Sequence, residues 1–144
     1  MCLSHLSSFS DTVLGTSRKE GGKTSRMNTR YTAETQRLID AVLTSPGETD
    51  PTLRSAVEVQ AAQLSGHSSR QADRVPPEVV GYITKVALHA YRTTDQDIVA
   101  LRTAGYSEDA IFEITLSAAL GAGLARLERG LAALKGGQDA ASED

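Results

Sequence analysis

The sequence has few of the residues that build bulky or covalently linked cores. It contains no Trp, four Pro and one Cys, and aromatic residues make up 4% of the 144 positions. Hydrophobic residues still account for 40%. The length is that of one domain, and its core must come from small and aliphatic side chains, which suit closely packed helices.

The chain also lacks a concentration of positive charge. Its formal net charge is −3 and its pI is about 5.6. Nucleic acid and anionic membranes both require a concentrated basic patch, and the single basic cluster, at residues 18–30, lies in a segment without apolar periodicity. We therefore expect neither as the main partner.

A single cysteine, Cys2, cannot form an intramolecular disulfide, so a reducing cytoplasm fits the sequence. The first 15 residues show no basic segment followed by a continuous apolar run, so we expect no signal peptide. Residues 110–125 are strongly apolar, but Glu113 interrupts them and the run falls short of the roughly 18 residues that a membrane span needs. No membrane helix is expected.

The main element predicted is a long helix from Ser107 to Leu134. Ser107 is a good N-cap, and two acidic residues follow it in the first turn. Leucines then recur at alternating spacings of four and three, which is typical of a helix-packing seam: Leu120, Leu124, Leu127, Leu131 and Leu134. Small residues at 118–119 and 121–123 predict a closely packed neighbour. Gly136 and Gly137 are predicted to end the helix.

Four further helices are expected upstream. The first covers residues 32–44, and the second starts at Asp50 and Pro51 and ends at Gly66. The third begins at Pro76 and Pro77 and breaks near Arg92. Thr93 and Gln96 have the spacing of a capping box for a fourth helix, which ends at Gly105.

The fold class predicted is therefore all-α. Residues 1–29 are rich in Ser, Thr, Gly and Lys without either period, so a disordered extension is expected there. A single helical domain is expected over residues 30–136, followed by an acidic tail at residues 137–144.

The joint between the last two helices, LRTAGYSEDAIFEI, resembles the corresponding run of the alkylhydroperoxidase D and carboxymuconolactone decarboxylase superfamily. The likeness covers residues 76–134 and includes the small-residue helix after the joint. It implies an alkylhydroperoxidase D-like helical bundle that assembles as a homo-oligomer, a trimer or hexamer, and it would give the leucine seam a packing partner.

The peroxidase branch of the superfamily that the joint resembles has redox residues that this sequence lacks. The peroxidase branch carries a Cys-x-x-Cys-x-x-x-His motif whose His lies eight residues before the Gly of the joint, and those three positions here are Ala90, Thr93 and Asp97. Ala has no nucleophile and Thr cannot cycle through a disulfide, so thiol peroxidase chemistry is excluded. Glu78 lies twelve residues before Ala90, as a Glu does in that branch, although helix capping prefers an acid there as well.

The third helix carries a polar stripe spaced four, three and four: Glu78, Tyr82, Lys85 and His89. One interpretation is a solvated face of mixed charge. The other is a wall that handles protons or binds a ligand, with Glu78 or His89 as acid or base and Tyr82 or Tyr91 as hydrogen-bond donor. We name Glu78, His89 and Tyr82 as candidate catalytic residues. No spacing typical of a metal site, a phosphate loop or a nucleophile elbow occurs, so no metal or cofactor is expected.

Three functions remain open. The first is a family member without redox cysteines, acting as an oligomeric binding or scaffold protein, with a small-molecule ligand possible. The second is an acid–base lyase or decarboxylase acting on a small carboxylate or lactone. The third is a helical module that binds another protein through its leucine seam. We expect the first.

Overall fold

The computed structural model describes the backbone of residues 22–66 and 73–140 and the side chains of residues 32–66 and 73–134. Within these ranges the chain is all-helical, as predicted. The five α-helices are α1 (Gly22–Thr44), α2 (Pro51–Leu64), α3 (Pro77–His89), α4 (Asp95–Thr103) and α5 (Glu108–Ala140), and a 3₁₀ turn, Ala90–Arg92, links α3 to α4.

The core lies where α2, α3 and α5 meet. α5 packs most extensively against α2, then against α3, and more lightly against α1 and α4. The core residues are small or aliphatic apart from Tyr82, as the composition predicts, and Val57, Val79, Ile83 and Ile114 are fully buried. Bulky branched chains thus fill the centre while alanines let the helices approach one another.

Gly121 explains the closest approach between helices. A Cβ built at this position would overlap the backbone carbonyl of Glu58, in the middle of α2. The small-residue segment of α5 therefore does bring a neighbour close at Gly121. At Gly123 it does not, because a Cβ there meets nothing within 4 Å.

Several helix ends differ from their predicted positions. α1 begins at Gly22 instead of residue 32, so it includes residues 22–29 of the segment predicted to be disordered. The polar sequence there has no apolar face, and apolar periodicity locates only the part of a helix that packs. Residues 1–21 lie outside the described residues.

At the other end, α5 continues through Gly136 and Gly137 to Ala140. The predicted stop was wrong, because glycine lowers helix propensity by roughly 1 kcal/mol but, unlike proline, does not prevent helical geometry. Of the predicted acidic tail, residues 141–144 lie outside the described residues.

The start of α4 is displaced by one residue. The N-cap is Thr94, not Thr93, and its capping-box partner is Asp97, not Gln96. Thr93 is extended and ends the 3₁₀ turn by donating its backbone N–H to the carbonyl of Ala90. Thr94 is then the first residue free to cap the helix.

Candidate functional site

Three residues of the polar stripe of α3 contact three different elements, namely α5, the α4–α5 joint and the start of α4. Tyr82 is buried, and its hydroxyl lies 2.7 Å from Thr115 Oγ1 on α5. The Thr115 hydroxyl donates its own proton to the carbonyl of Ile111. Tyr82 must therefore be the donor, and its proton is committed to a contact between two helices.

Glu78 stands at the exposed end of the same stripe. Its Oε1 accepts a hydrogen bond of 3.4 Å from the hydroxyl of Tyr106, which belongs to the α4–α5 joint. Partial burial raises the pKa of Tyr106, and the negative charge of Glu78 raises it further. At 3.4 Å this exposed hydrogen bond is longer than is usual for two oxygen atoms, so it is a weak link between the joint and the start of α3.

Lys85 forms the third contact, an ion pair of 2.5 Å with Asp97 Oδ1. The other carboxylate oxygen of Asp97 accepts the backbone N–H and the hydroxyl of Thr94. The hydrogen bond from Lys85 is the main cause that lowers the pKa of Asp97, and the Thr94 backbone adds to it. Asp97 is therefore an anion that joins α3 to the start of α4.

His89, the last residue of α3, is exposed. Its ring makes an edge-on contact with Tyr91, with 6.1 Å between centroids, and the guanidinium of Arg92 lies 5.5 Å from the centre of the Tyr91 ring. Tyr91 is 80% exposed. His89 is thus part of a surface group at the 3₁₀ turn, while the Tyr82 hydroxyl is held at the α3–α5 contact, so the contacts of the three candidate residues lie at three separate places.

Ala90 and Thr93 lie at the 3₁₀ turn and have no redox-active group. Ala90 is exposed in the 3₁₀ turn, and Thr93 is half-buried where that turn ends. Neither side chain offers a group that can be reduced and reoxidised.

Sequence reasoning missed a polar cluster between α1, α2 and α5. Glu113 accepts backbone hydrogen bonds from Glu48, at 2.9 Å, and from Thr49, at 2.8 Å, and a further one from the Thr49 hydroxyl. These hydrogen bonds, those of Thr49 foremost, lower the pKa of Glu113. The only feature of the sequence that could have indicated this cluster is the single carboxylate of Glu113 within an apolar run.

Arg54 extends this cluster beneath the end of α1. It is 3% exposed and donates to the carbonyls of Val42, at 3.0 Å, and Ser45, at 2.6 Å. These carbonyls lie where α1 ends and have no partner within the helix, so the guanidinium satisfies them. The arrangement anchors α1 to α2.

A second feature is an apolar surface on α5 that no part of the described chain covers. Its members are spaced four, three and four residues apart, and we call them the uncovered stripe: Phe112, Leu116, Ala119 and Gly123. Phe112 is 61% exposed and Leu116 is 39% exposed. Toward the end of the leucine seam, Leu131 and Leu134 are exposed as well.

The described side chains also bear on a metal site and on a membrane span. Within residues 32–66 and 73–134, no three His, Cys, Asp or Glu residues are grouped so that they could hold a metal ion. In the same part of the chain, Glu108–Leu134 is long and apolar enough to cross a membrane. Core helices meet that criterion too, and one face of α5 is buried against α2 and α3.

No family model matches the chain, and no match was found among curated proteins or among solved structures.

Proposed function

We propose that the chain is a homo-oligomeric binding or scaffold protein, built on an alkylhydroperoxidase D-like helical bundle without its redox centre. The observation that carries this proposal is the uncovered stripe. Phe112 and Leu116 lie one helical turn apart and are both exposed on the main core helix, and contiguous apolar surfaces of this kind mark interaction sites.

The polar residues support the same proposal. Tyr82 and Lys85 hold α3 to its neighbours, and Glu78 hydrogen-bonds to the α4–α5 joint. Groups committed in this way stabilise the bundle and are poorly placed to exchange protons with a substrate. An acid–base lyase using Glu78, His89 and Tyr82 has less support, because the three side chains make their contacts at separate places and do not converge on one reacting group.

The chemistry at the motif positions adds a second argument. Without sulfur at positions 90 and 93, no disulfide can form there, and Cys2 is the only thiol in the chain. We infer that the bundle does not reduce peroxides through a thiol relay.

The test combines the mass in solution with a peroxidase assay. Sedimentation equilibrium at several concentrations is expected to give a multiple of the chain mass of 15.3 kDa. The wild type and Cys2→Ser are both expected to leave hydrogen peroxide and an organic hydroperoxide unconsumed in the presence of a dithiol reductant. A monomer at every concentration, or peroxide consumption by Cys2→Ser, would contradict the proposal.

A second candidate is a helical module whose leucine seam binds a different protein. The exposure of Leu134, at 67%, and of Leu131, at 45%, favours it. The same measurement separates the two candidates, because this one requires no self-association.

A further inference from the structure

The large and small residues of the uncovered stripe are arranged so that the stripe can pack against a second, antiparallel copy of itself. Its spacing of four, three and four is the same in both directions. Two large residues, Phe112 and Leu116, occupy its first half, and two small ones, Ala119 and Gly123, occupy its second half. When two such stripes run antiparallel, each large side chain meets a small one.

Antiparallel pairing places Phe112 over Gly123 of a second copy, and Leu116 over Ala119 of that copy. A Cβ at Gly123 would meet nothing within 4 Å in the single chain. The absence of a Cβ there has no explanation within the protomer, although glycine in mid-helix costs roughly 1 kcal/mol relative to alanine. The Phe112 ring of a second copy would occupy the space left by the missing Cβ of Gly123.

The charges beside the stripe follow the same symmetry. Asp109 precedes Phe112 by three residues, and Arg126 follows Gly123 by three. The pairing that sets Phe112 over Gly123 therefore also sets Asp109 beside Arg126 of the second copy, twice per contact. Arg126 donates one N–H to the carbonyl of Ala87 and keeps further donors for a carboxylate.

We propose that the uncovered stripe binds the same stripe of a second copy, with the two α5 helices antiparallel about a twofold axis near residues 117 and 118. This inference rests on the proposed homo-oligomer and specifies one of its contacts. It does not depend on the small residues alone, since the exposed Phe112 and Leu116 and the paired charges point to the same arrangement.

The size of the contact sets the expected affinity. Residues 109–126 span about 26 Å of helix, and a strip about 10 Å wide along them is well below the roughly 800 Å² that each partner buries in a standard interface. We expect dissociation constants on the order of micromolar, so that the assembly responds to dilution.

The first experiment compares two substitutions on the stripe with two matched controls. Phe112→Glu places a charge in the contact, and Gly123→Leu fills the gap that receives the ring. Leu38→Glu changes an exposed leucine of α1, and Gly81→Leu changes a helical glycine of α3 that also has nothing within 4 Å of its Cβ. Sedimentation equilibrium is expected to show at least ten-fold weaker association for the two stripe variants and less than a two-fold change for the controls.

Gly123→Leu separates a loss of association from a loss of folding. Gly123 is exposed, a Cβ there meets nothing within 4 Å, and leucine favours the helix, so this variant is expected to melt no lower than the wild type at high dilution. A Gly123→Leu variant that folds and keeps the wild-type association would overturn the proposed contact.

The second experiment tests the register. In a Cys2→Ser background, Phe112→Cys combined with Gly123→Cys is expected to give a disulfide-linked dimer on mild oxidation, whereas either substitution alone is not. The two positions of one chain are eleven residues apart on α5, about 16 Å, which is too far for an intramolecular disulfide. Absence of the linked dimer in the double variant, or equal linking in a single variant, would overturn the antiparallel register.

The failures can be told apart. A stable trimer that Phe112→Glu leaves intact would overturn this contact while leaving the homo-oligomer in place, because a twofold contact builds assemblies with an even number of subunits. A chain that stays monomeric at all concentrations would overturn both proposals and leave the stripe to a different protein or to a lipid surface.

Discussion

Replacement of Gly121 by alanine tests the close packing of α2 and α5. The new Cβ would overlap the carbonyl oxygen of Glu58, so the helices would have to separate by on the order of 1 Å to restore an ordinary contact. The neighbour is backbone in the middle of a helix and cannot turn aside. Overpacking costs typically about 1–3 kcal/mol, and we expect the upper part of that range here.

Alanine also has a higher helix propensity than glycine, which returns roughly 1 kcal/mol. The expected net loss in the free energy of unfolding is about 1–2 kcal/mol, which corresponds to a fall in Tm of about 3–8 °C. The matched control is Gly81→Ala on α3, where the new Cβ meets nothing within 4 Å and the same propensity term acts alone. This control is expected to become more stable by up to about 1 kcal/mol.

Both variants can be measured by urea unfolding followed by circular dichroism, at one protein concentration. Close packing of α2 and α5 at Gly121 requires that the two substitutions change the free energy of unfolding in opposite directions. If Gly121→Ala were as stabilising as Gly81→Ala, the close approach of α2 and α5 would not exist in solution.

Two further predictions concern the polar contacts. Glu113→Gln should lower stability at pH 7 by about 1–3 kcal/mol, because the charged acceptor of the Thr49 hydrogen bonds is lost. The pKa of Glu113 lies below its ordinary value of 4.5, so its contribution is complete above that pH and is lost as the pH falls through the lower, folded-state value. The difference between wild type and variant in urea unfolding should therefore shrink below about pH 4.5, and a difference that grew on acidification would refute the assignment. Tyr82→Phe should cost about 0.5–1.5 kcal/mol in the same assay, since it removes only the hydrogen bond to Thr115, and an unchanged stability would show that this bond contributes nothing.

Apolar periodicity predicted the helices and their order well. α2, with Asp50 as its N-cap and Pro51 at its first position, begins where the sequence places it, and Ser107 caps α5 through its hydroxyl. Gly66 and Gly105 have positive φ angles of 94° and 100°, which explains why helices end near them. These features are local, so a short stretch of sequence contains all the information that they require.

The polar contacts between helices could not be predicted in the same way. Arg54 and Glu58 lie on α2 among residues that read as an ordinary amphipathic helix, yet they are 3% and 2% exposed. Glu113 meets Glu48 and Thr49 from more than 60 positions away. Its partners are mostly backbone N–H groups, which every residue but proline has, so no residue pattern marks them.

The candidate stripe of α3 lies between these two cases. Its spacing placed Glu78, Tyr82 and Lys85 on one side of α3, where they contact the α4–α5 joint, α5 and α4 in turn. Spacing cannot tell whether a polar group faces a substrate or another helix. The hydroxyl of Thr115 and the carboxylate of Asp97 decide that question, and both lie on other helices.

The account depends on self-association, and the molar mass in solution tests it most directly. Sedimentation equilibrium from about 1 to 200 μM should show a mass that rises with concentration to an even multiple of 15.3 kDa, and Gly123→Leu should shift the curve to higher concentration. A constant mass of 15.3 kDa across that range would contradict it.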